Sequence, residues 1–306
     1  MSSEPDRAGP ILLIDAFSLL YRAFFALPPM STSAGIPTAG LYGFSSLLLK
    51  LLREQTPRGG AIGMDAPRAT FRHDLYAGYK ASRPAAPTPL TEQIRRLPEL
   101  FDAFGFPVFT VPGFEADDVL ATLAQAFSAR GDAPLIVTGD LDALQCALGT
   151  TRVHVVGRGV EGRTYDEAAV IARFEVTPGE LPDWKALAGD PTDEIPGVPG
   201  IGAKRASSLV RQFGGVDGLL SRLDEVTPPS VRAALVAHGE KLPLWRDLAL
   251  LRTNVPLQEP PRWAPFDDAA RTRVRALFEG LEFRSLLPRL DALALDHLRA
   301  SGSSSK

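Results

Sequence analysis

The segment VPGFEADDVL at 111–120 places three carboxylates within four positions: Glu115, Asp117 and Asp118. A proline and a glycine precede the acids and predict a turn, and the apolar spacing behind the acids predicts a helix. Carboxylates this close raise one another's pKa unless positive charge lies among them, and a helix N-terminus supplies only about half an elementary charge. A divalent cation would supply the rest. The alternative is an acidic first turn that caps the helix and faces solvent.

Other carboxylates follow apolar runs that are typical of buried strands. The runs ILLID at 11–15, GGAIGMD at 59–65 and LIVT at 135–138 each end on or just before an acid, and helices alternate with them. This pattern predicts a parallel, twisted α/β sheet with helices on both faces. Because the carboxyl ends of parallel strands form one rim, we expect seven acids to converge there: Asp15, Asp65, Glu115, Asp117, Asp118, Asp140 and Asp142.

Segment 66–90 interrupts the α/β pattern. It is basic, contains tyrosines, and ends in several prolines. Basic residues interleaved with aromatic residues suit single-stranded nucleic acid, because the cations contact phosphates and the rings stack on bases. The alternative is a solvated surface loop. The residues concerned are Arg68, Arg72, Tyr76, Tyr79, Lys80 and Arg83.

A domain boundary is predicted at PGELPDW, 178–184, and a glycine-rich motif follows it at about 186–215. IPGVPGIGAKRASSLV reads as two helices joined by a tight hairpin, the second helix beginning near Ala203. Glycines allow close backbone approach, and amides at a helix N-terminus can hold a phosphate. Such a helix-hairpin-helix would bind DNA backbone without reading sequence, whereas the alternative is a plain tight turn. The residues concerned are Gly197, Gly200, Gly202, Lys204 and Arg205, with Asp190 and Asp193 just before them.

Oxygen ligands without His or Cys favour hard cations such as Mg²⁺ or Mn²⁺, and this many acids suggests two ions. The single cysteine excludes an internal disulfide, and the four histidines lack metal-ligand spacing. The net charge is −3, but setting nine clustered acids aside leaves 33 basic against 27 acidic residues, or +6. A basic surface around an acidic site is compatible with DNA binding.

The order I-D, M-D, G-F-E-A-D-D, T-G-D-L-D, G-D-x-x-D-x-I-P-G-V-x-G-I-G resembles the 5′-nuclease family, which includes flap endonucleases. It is most similar to the 5′–3′ exonuclease domain of bacterial DNA polymerase I, here without polymerase domains. The resemblance runs from about Ile11 to Leu287 and includes FRHxxYxxYKxxR at 71–83 and LEFRSLL at 281. It implies nine metal-binding carboxylates: Asp15, Asp65, Glu115, Asp117, Asp118, Asp140, Asp142, Asp190 and Asp193. Glu115 and Asp117 are expected nearest the first ion, and Asp118 is expected to act through water or to hold a basic residue.

The resemblance also implies a helical arch over about 66–95 that admits a 5′ single strand. Lys80 would contact the scissile phosphate and Tyr79 would stack near the terminal nucleotides; the residues expected in catalysis are Arg72, Lys80, Arg83 and Asp117. DNA contacts are expected from Arg22, Arg72, Tyr79, Lys80, Arg83 and the hairpin residues, with a potassium ion at the hairpin. The predicted domains are an α/β nuclease domain, 1–180, and a helical domain, 181–306.

The resemblance therefore implies a 5′–3′ exonuclease and 5′-flap endonuclease that uses a two-metal-ion mechanism in primer removal and DNA repair. Its expected partners are DNA with 5′ ends, flaps or nicks, and RNA primers on DNA. Glu194 departs from the asparagine usual in the family. A catalytically weak binder of branched DNA is the main alternative, and a phosphatase of small substrates is a third. A polar N-terminus and the absence of a long apolar run predict a cytoplasmic monomer without membrane contact.

Overall fold

The computed structural model of the protein describes residues 9–67, 69–157 and 162–293. Its centre is a six-stranded sheet in the order β3-β2-β1-β4-β5-β6. Strands β1 to β5 are parallel, and β6 runs antiparallel to β5 at one edge. The strands are β1 Ile11–Asp15, β2 Gly59–Gly63, β3 Val108–Phe109, β4 Pro134–Thr138, β5 Arg152–Val156 and β6 Gly162–Tyr165.

The predicted α/β sheet is confirmed, and every residue of β1, β2 and β4 is buried. The two sides of β1 pack into different clusters: Leu12 and Ile14 face one, and Ile11 and Leu13 face the other. This alternation follows from the two-residue period of a strand, so a strand covered on both faces reads as a continuous apolar run. The antiparallel strand β6 was not predicted, because GRTY is short and mostly polar.

Helices cover both faces of the sheet. Leu12 and Ile14 pack with α1 Ala16–Ala26, α2 Ala39–Gln55 and α5 Leu97–Phe104. The opposite face packs against α6 Ala116–Ala129 and against helices from the second half of the chain.

Segment 66–95 contains two short helices, α3 Phe71–Leu75 and α4 Thr88–Ile94, with turns at 77–82 between them. Residues 88–104 form two helices and not one continuous helix, because α4 ends at Ile94 and α5 begins at Leu97 with a proline in its first turn. Proline lacks the backbone N–H that a continuous helix would need.

Six helices follow the sheet, and α8 and α9 are the predicted pair around the glycine hairpin. A long extended stretch, 250–267, leaves this group of helices and pairs Ala264 with Gly60 of β2. The helices are α7 Glu167–Phe174, α8 Leu181–Ala188, α9 Ala203–Phe213, α10 Val216–Ser221, α11 Pro229–His238 and α12 Leu242–Ala249.

Helix α13, Asp268–Gly280, packs beside α5 on the α/β unit, and residues 287–293 are again helical. Val274, Phe278 and Phe283 belong to the same apolar cluster as Leu12 of β1. The division that places 181–306 in one helical domain stays a prediction, and α13 packs on the α/β unit rather than on the other helices of that segment. Helical periodicity identifies an apolar face but not the surface that the face will cover. In the part of the chain that the structure describes, no helix has both the length and the apolar character to cross a membrane.

Candidate metal centre

A cleft of about 1980 Å³ lies at the carboxyl ends of the central strands, between the sheet and the α8–α9 region. Eight of the nine predicted metal-binding acids line it: Asp15, Asp65, Glu115, Asp117, Asp140, Asp142, Asp190 and Asp193. The ninth, Asp118, is fully buried behind them. The acids converge because strand ends and the first turn of α6 meet at one rim of the sheet.

Local hydrogen bonds hold the rim acids in place. Asp15 caps α1 by accepting from Ser18 N at 3.0 Å, and it accepts from Thr138 Oγ1 at 2.8 Å. Asp65 accepts from the Ala116 amide at 2.7 Å, at the N-terminus of α6. These bonds orient the carboxylates but bring no counter-charge.

Four of the acids, Asp15, Asp65, Asp117 and Asp140, form an unpaired set. Among the described residues, no lysine or arginine makes an ion pair with them. Burial, and then the neighbouring Asp65, raise the pKa of Asp15 to about 7. Burial also raises the pKa of Asp65, and burial together with Asp118 raises that of Asp117 well above its ordinary value. Uncompensated carboxylate oxygens are the ligands that a hard divalent cation prefers, so these residues fit such an ion.

Glu115 and Asp193 have protein cations beside them. Lys80 Nζ lies 2.9 Å from Glu115 Oε2 and 3.5 Å from Asp193 Oδ1. The Tyr79 hydroxyl donates to the same two carboxylates at 3.0 and 3.2 Å. Burial alone would raise the pKa of Glu115, but Lys80 and Arg72 bring it below its ordinary value. Lys80 is therefore held at the acids, as expected for a residue acting at this centre.

Asp118 forms a buried ion pair with Arg72. The two guanidinium nitrogens lie 2.6 and 2.8 Å from its carboxylate oxygens, and both side chains are at most 1% exposed. Asp118 also accepts from the Arg252 amide at 2.8 Å, and Arg72 donates to the carbonyls of Leu248 and Leu250. Asp118 was expected either to act through water or to hold a basic residue. In the structure its side chain holds Arg72 and does not line the cleft.

A third arrangement joins Asp142, Asp190 and Asp193, each of which offers a carboxylate oxygen within 4.8 Å of the others. Lys185 Nζ contacts Asp142 Oδ1 and lies 2.5 Å from Asp190 Oδ2. We call the five acids with cationic partners, Glu115, Asp118, Asp142, Asp190 and Asp193, the paired set. Lys185 was missed in the sequence because it sits inside the apolar pattern of α8; its position five residues before Asp190 was the available signal.

The expected nucleic-acid contacts differ in their placement. Tyr79 is 1% exposed, so in this conformation its ring cannot stack on a nucleotide, contrary to expectation. Arg72 is equally buried and serves Asp118, whereas Arg83 is about half exposed and lies 3.9 Å from Asp193. Arg22 lines the cleft and donates to the Gly139 carbonyl. Phe25, which the sequence reading missed, is 68% exposed at the rim of the cleft.

The glycine hairpin has the backbone that its sequence predicts. Gly197 and Gly200 adopt left-handed φ values of 67° and 81°, and a Cβ on Gly197 would lie 2.4 Å from the Gly189 nitrogen. Gly202 caps α9, and Lys204 and Arg205 are exposed in its first turn. The α9 amides and these two cations thus face solvent together, as a phosphate-binding surface requires.

An acidic cleft on a sheet rim, bordered by basic residues and a helix-hairpin-helix, defines the class of metal-dependent nucleases. A family model for the N-terminal, resolvase-like domain of 5′–3′ exonucleases matches residues 10–175, and one for their C-terminal SAM fold matches 176–271. The chain belongs to the 5′–3′ exonuclease family.

Similar proteins agree with this family. DNA polymerase I of Mycobacterium leprae is 41% identical over 94% of this chain, and the thermostable DNA polymerase I of Thermus thermophilus is 40% identical over 91%. The chain spans about a third of the length of these relatives, 32% and 33%. Among solved structures, zinc-bound T5 5′-exonuclease has a TM-score of 0.64 at 22% identity, covering 95% of this chain and 98% of that one. The catalytic core of Rad2 with DNA substrate has a TM-score of 0.61 at 15% identity, covering 92% and 93%.

Proposed function

We propose that the protein hydrolyses DNA phosphodiester bonds as a 5′–3′ exonuclease and 5′-flap endonuclease that depends on two divalent metal ions. The observation that carries this proposal is the convergence of eight carboxylates in one cleft with Lys80 among them. The T5 5′-exonuclease relative has zinc bound and the Rad2 relative has a DNA substrate bound, which supports a metal and DNA at the corresponding cleft here.

Eight acids are proposed to hold the ions, Mg²⁺ or Mn²⁺: Asp15, Asp65, Glu115 and Asp117 for one, and Asp140, Asp142, Asp190 and Asp193 for the other. Bound ions of this kind supply an activated water and neutralise charge that develops on the phosphate. Asp118 supports the centre from behind by fixing Arg72 and the first turn of α6.

The basic residues position the substrate. Lys80 lies at the acids and is proposed to contact the scissile phosphate, with its charge close to where negative charge develops. Arg83, which is more exposed, and Arg22 on the cleft wall are proposed to hold the neighbouring phosphates. The exposed Phe25 ring offers a surface on which a base at the junction can stack.

The helix-hairpin-helix is proposed to hold the duplex behind the cut. Its glycines bring the backbone close to a phosphate, and Lys204 and Arg205 add positive charge; a potassium ion held by loop carbonyls would complete this contact. Because these groups read backbone alone, binding should follow DNA structure rather than sequence.

The proposed substrates are 5′ ends, flaps and nicks in DNA, including RNA primers, and the proposed roles are primer removal and repair. Similarity to about a third of DNA polymerase I supports these roles. A monomer in the cytoplasm would suit them.

The test is cleavage of a 5′-labelled flap by the wild type and by Asp117→Asn, in Mg²⁺ and in Mn²⁺. We expect the variant to lose roughly 10²-fold or more in rate, because its ion loses a charged ligand. Binding of the same junction in the presence of a chelator should survive, since the helix-hairpin-helix is untouched. The matched control is the exposed Asp224→Asn.

Unchanged cleavage in Asp117→Asn would contradict the assignment of this metal centre. Junction binding by the wild type without cleavage in either metal would instead support the branched-DNA binder. Failure to bind a junction at all would revive the phosphatase.

A further inference from the structure

Lys185 places a positive charge inside the acidic cleft. The residue is on α8, is 9% exposed, and has its ammonium group in contact with both Asp142 and Asp190. Of the three acids whose oxygens lie within 4.8 Å of one another, Lys185 pairs with Asp142 and Asp190, whereas the third, Asp193, has Lys80 and Arg83 beside it. The proposed reaction assigns no role to Lys185.

The position of Lys185 is fixed by its surroundings. The next two residues of α8, Ala186 and Leu187, are fully buried in the core. The helix ends at Gly189, whose left-handed backbone turns the chain so that Asp190 folds back toward the helix. Asp190 exchanges backbone hydrogen bonds with Ile195, which locks this turn. The backbone that carries Lys185 is therefore held in place, and the ammonium group reaches the acids from it.

The ammonium group and a divalent ion would compete for the same space. A magnesium ion binds its oxygen ligands at about 2.1 Å and so lies between them. An ammonium nitrogen in hydrogen-bond contact with Asp142 and Asp190 lies between the same oxygens. Both cations cannot occupy this place, although the flexible four-carbon stem of lysine allows the ammonium group to move aside.

We propose that Lys185 is a resident counter-cation of Asp142 and Asp190, and that a divalent ion held by these acids and Asp193 must displace it in order to bind there. The inference rests on the proposed metal-dependent function. It makes the two ion positions unequal: at the first position Lys80 pairs with Glu115 alone, and Asp15, Asp65 and Asp117 have no ion pair, whereas at the Asp142 end Lys185 contacts two of the ligands, so binding there exchanges one cation for another. The second ion should therefore bind more weakly than the first.

The experiment is a calorimetric titration of Mn²⁺ into the DNA-free protein, comparing the wild type with Lys185→Met, which keeps the side-chain length but removes the charge. We expect the weaker Mn²⁺ site to become at least about tenfold tighter, because a competing charge a few ångströms away is removed. The tighter site should change little. Lys241→Met, which removes an exposed lysine, is the matched control.

Two further variants keep the inference open to refutation. Lys185→Gln retains hydrogen bonding without charge and should also tighten the weaker site, which covers the case in which the methionine variant does not fold. Lys185→Arg retains the charge and should leave that site weak. Unchanged or weaker second-site binding in both neutral variants, with the first site intact, would overturn the role of Lys185 alone. Absence of Mn²⁺ binding to every protein would overturn the metal-dependent function as well.

Discussion

The two sets of carboxylates border one cleft but differ in what balances their charge. The unpaired set has hydrogen bonds from backbone and hydroxyl groups, and the pKa of Asp15, Asp65 and Asp117 is raised. The paired set has Arg72, Lys80 and Lys185 within ion-pair distance. In the paired set, opposing cations lower the pKa of Glu115 and Asp190, although burial alone would raise both.

One acidic cleft thus contains carboxylates that have no cationic partner beside others that have one. Three cations partly balance the five charges of the paired set, although burial still raises the pKa of Asp193, so we expect this part to cost the metal-free protein less than the unpaired set does. Charges in the unpaired set repel one another, so this part is costly until an ion binds. The following variants test that division, from the largest expected effect to the smallest.

Arg72→Met should cost about 3–5 kcal/mol of unfolding free energy, because it leaves the fully buried Asp118 without its partner. Urea unfolding in the presence of a chelator measures the loss. The control is Arg262→Met, since Arg262 and Glu259 form an exposed pair and such pairs contribute at most about 1 kcal/mol. Equal losses in the two variants would mean that the paired set is not held together by buried charge.

Asp15→Asn should change the pH dependence of stability in a chelator. The pKa of Asp15 is about 7 in the folded state against its ordinary 3.8, so between these values the folded state binds more protons than the unfolded state. The free energy of unfolding of the wild type therefore falls as the pH rises through this window. Asparagine cannot ionise, and removing this penalty should make the variant gain about 2–3 kcal/mol at pH 8 relative to pH 5, since about 1.4 kcal/mol per pKa unit applies over the two units from pH 5 to the folded pKa of about 7. The two sets would not differ in this way if the wild type and the variant showed the same change in unfolding free energy between pH 5 and pH 8.

Tyr79→Phe should lower the unfolding free energy by about 1 kcal/mol, because the hydroxyl group donates to both Glu115 and Asp193. Affinity for a DNA junction should remain, since the buried ring does not face the nucleic acid. Chemical unfolding and a binding assay measure the two quantities. Unchanged stability would favour the stacking role expected from the sequence, with the segment around Tyr79 rearranged.

Glu194→Ala should act only locally. Its carboxylate accepts from the Ser82 amide at 2.9 Å and so ties segment 66–95 to the turn after Asp193. We expect faster hydrogen exchange at 80–83 with little change in global stability, because exposed contacts open locally. The matched control is the exposed Glu225→Ala. Unaltered exchange would show that Lys80 is positioned by its pairs with the acids alone.

The position of the acids at one rim of the sheet could be predicted from the sequence. Apolar runs mark the strands locally, and parallel strands all end on the same side of a sheet. The covered strands β1, β2 and β4 and the capped start of α6 all follow from such signals. The glycine hairpin is equally local, since left-handed backbone at Gly197 and Gly200 requires that residue type.

The partners of charged side chains were not predictable in the same way. Tyr79 and Arg72 read as surface residues in a basic segment, but the chain folds back so that both enter the interior. Lys185 reads as one polar position on a helix, and only the turn at Gly189 brings Asp190 to it. The placement of α13 depends likewise on a distant surface of α5. For Arg72, Tyr79 and α13 the decisive contact joins segments that sequence spacing does not relate.

The stretch at 248–255 connects the two halves of the molecule through hydrogen bonds rather than apolar contact alone. Arg72 donates to the Leu248 carbonyl, Gln145 pairs with Ala249 and Leu251, and the Val255 amide donates to Thr122. These side chains belong to the α/β half, and separating the halves would leave several buried polar groups unsatisfied. We therefore expect the two halves to unfold together in one cooperative transition.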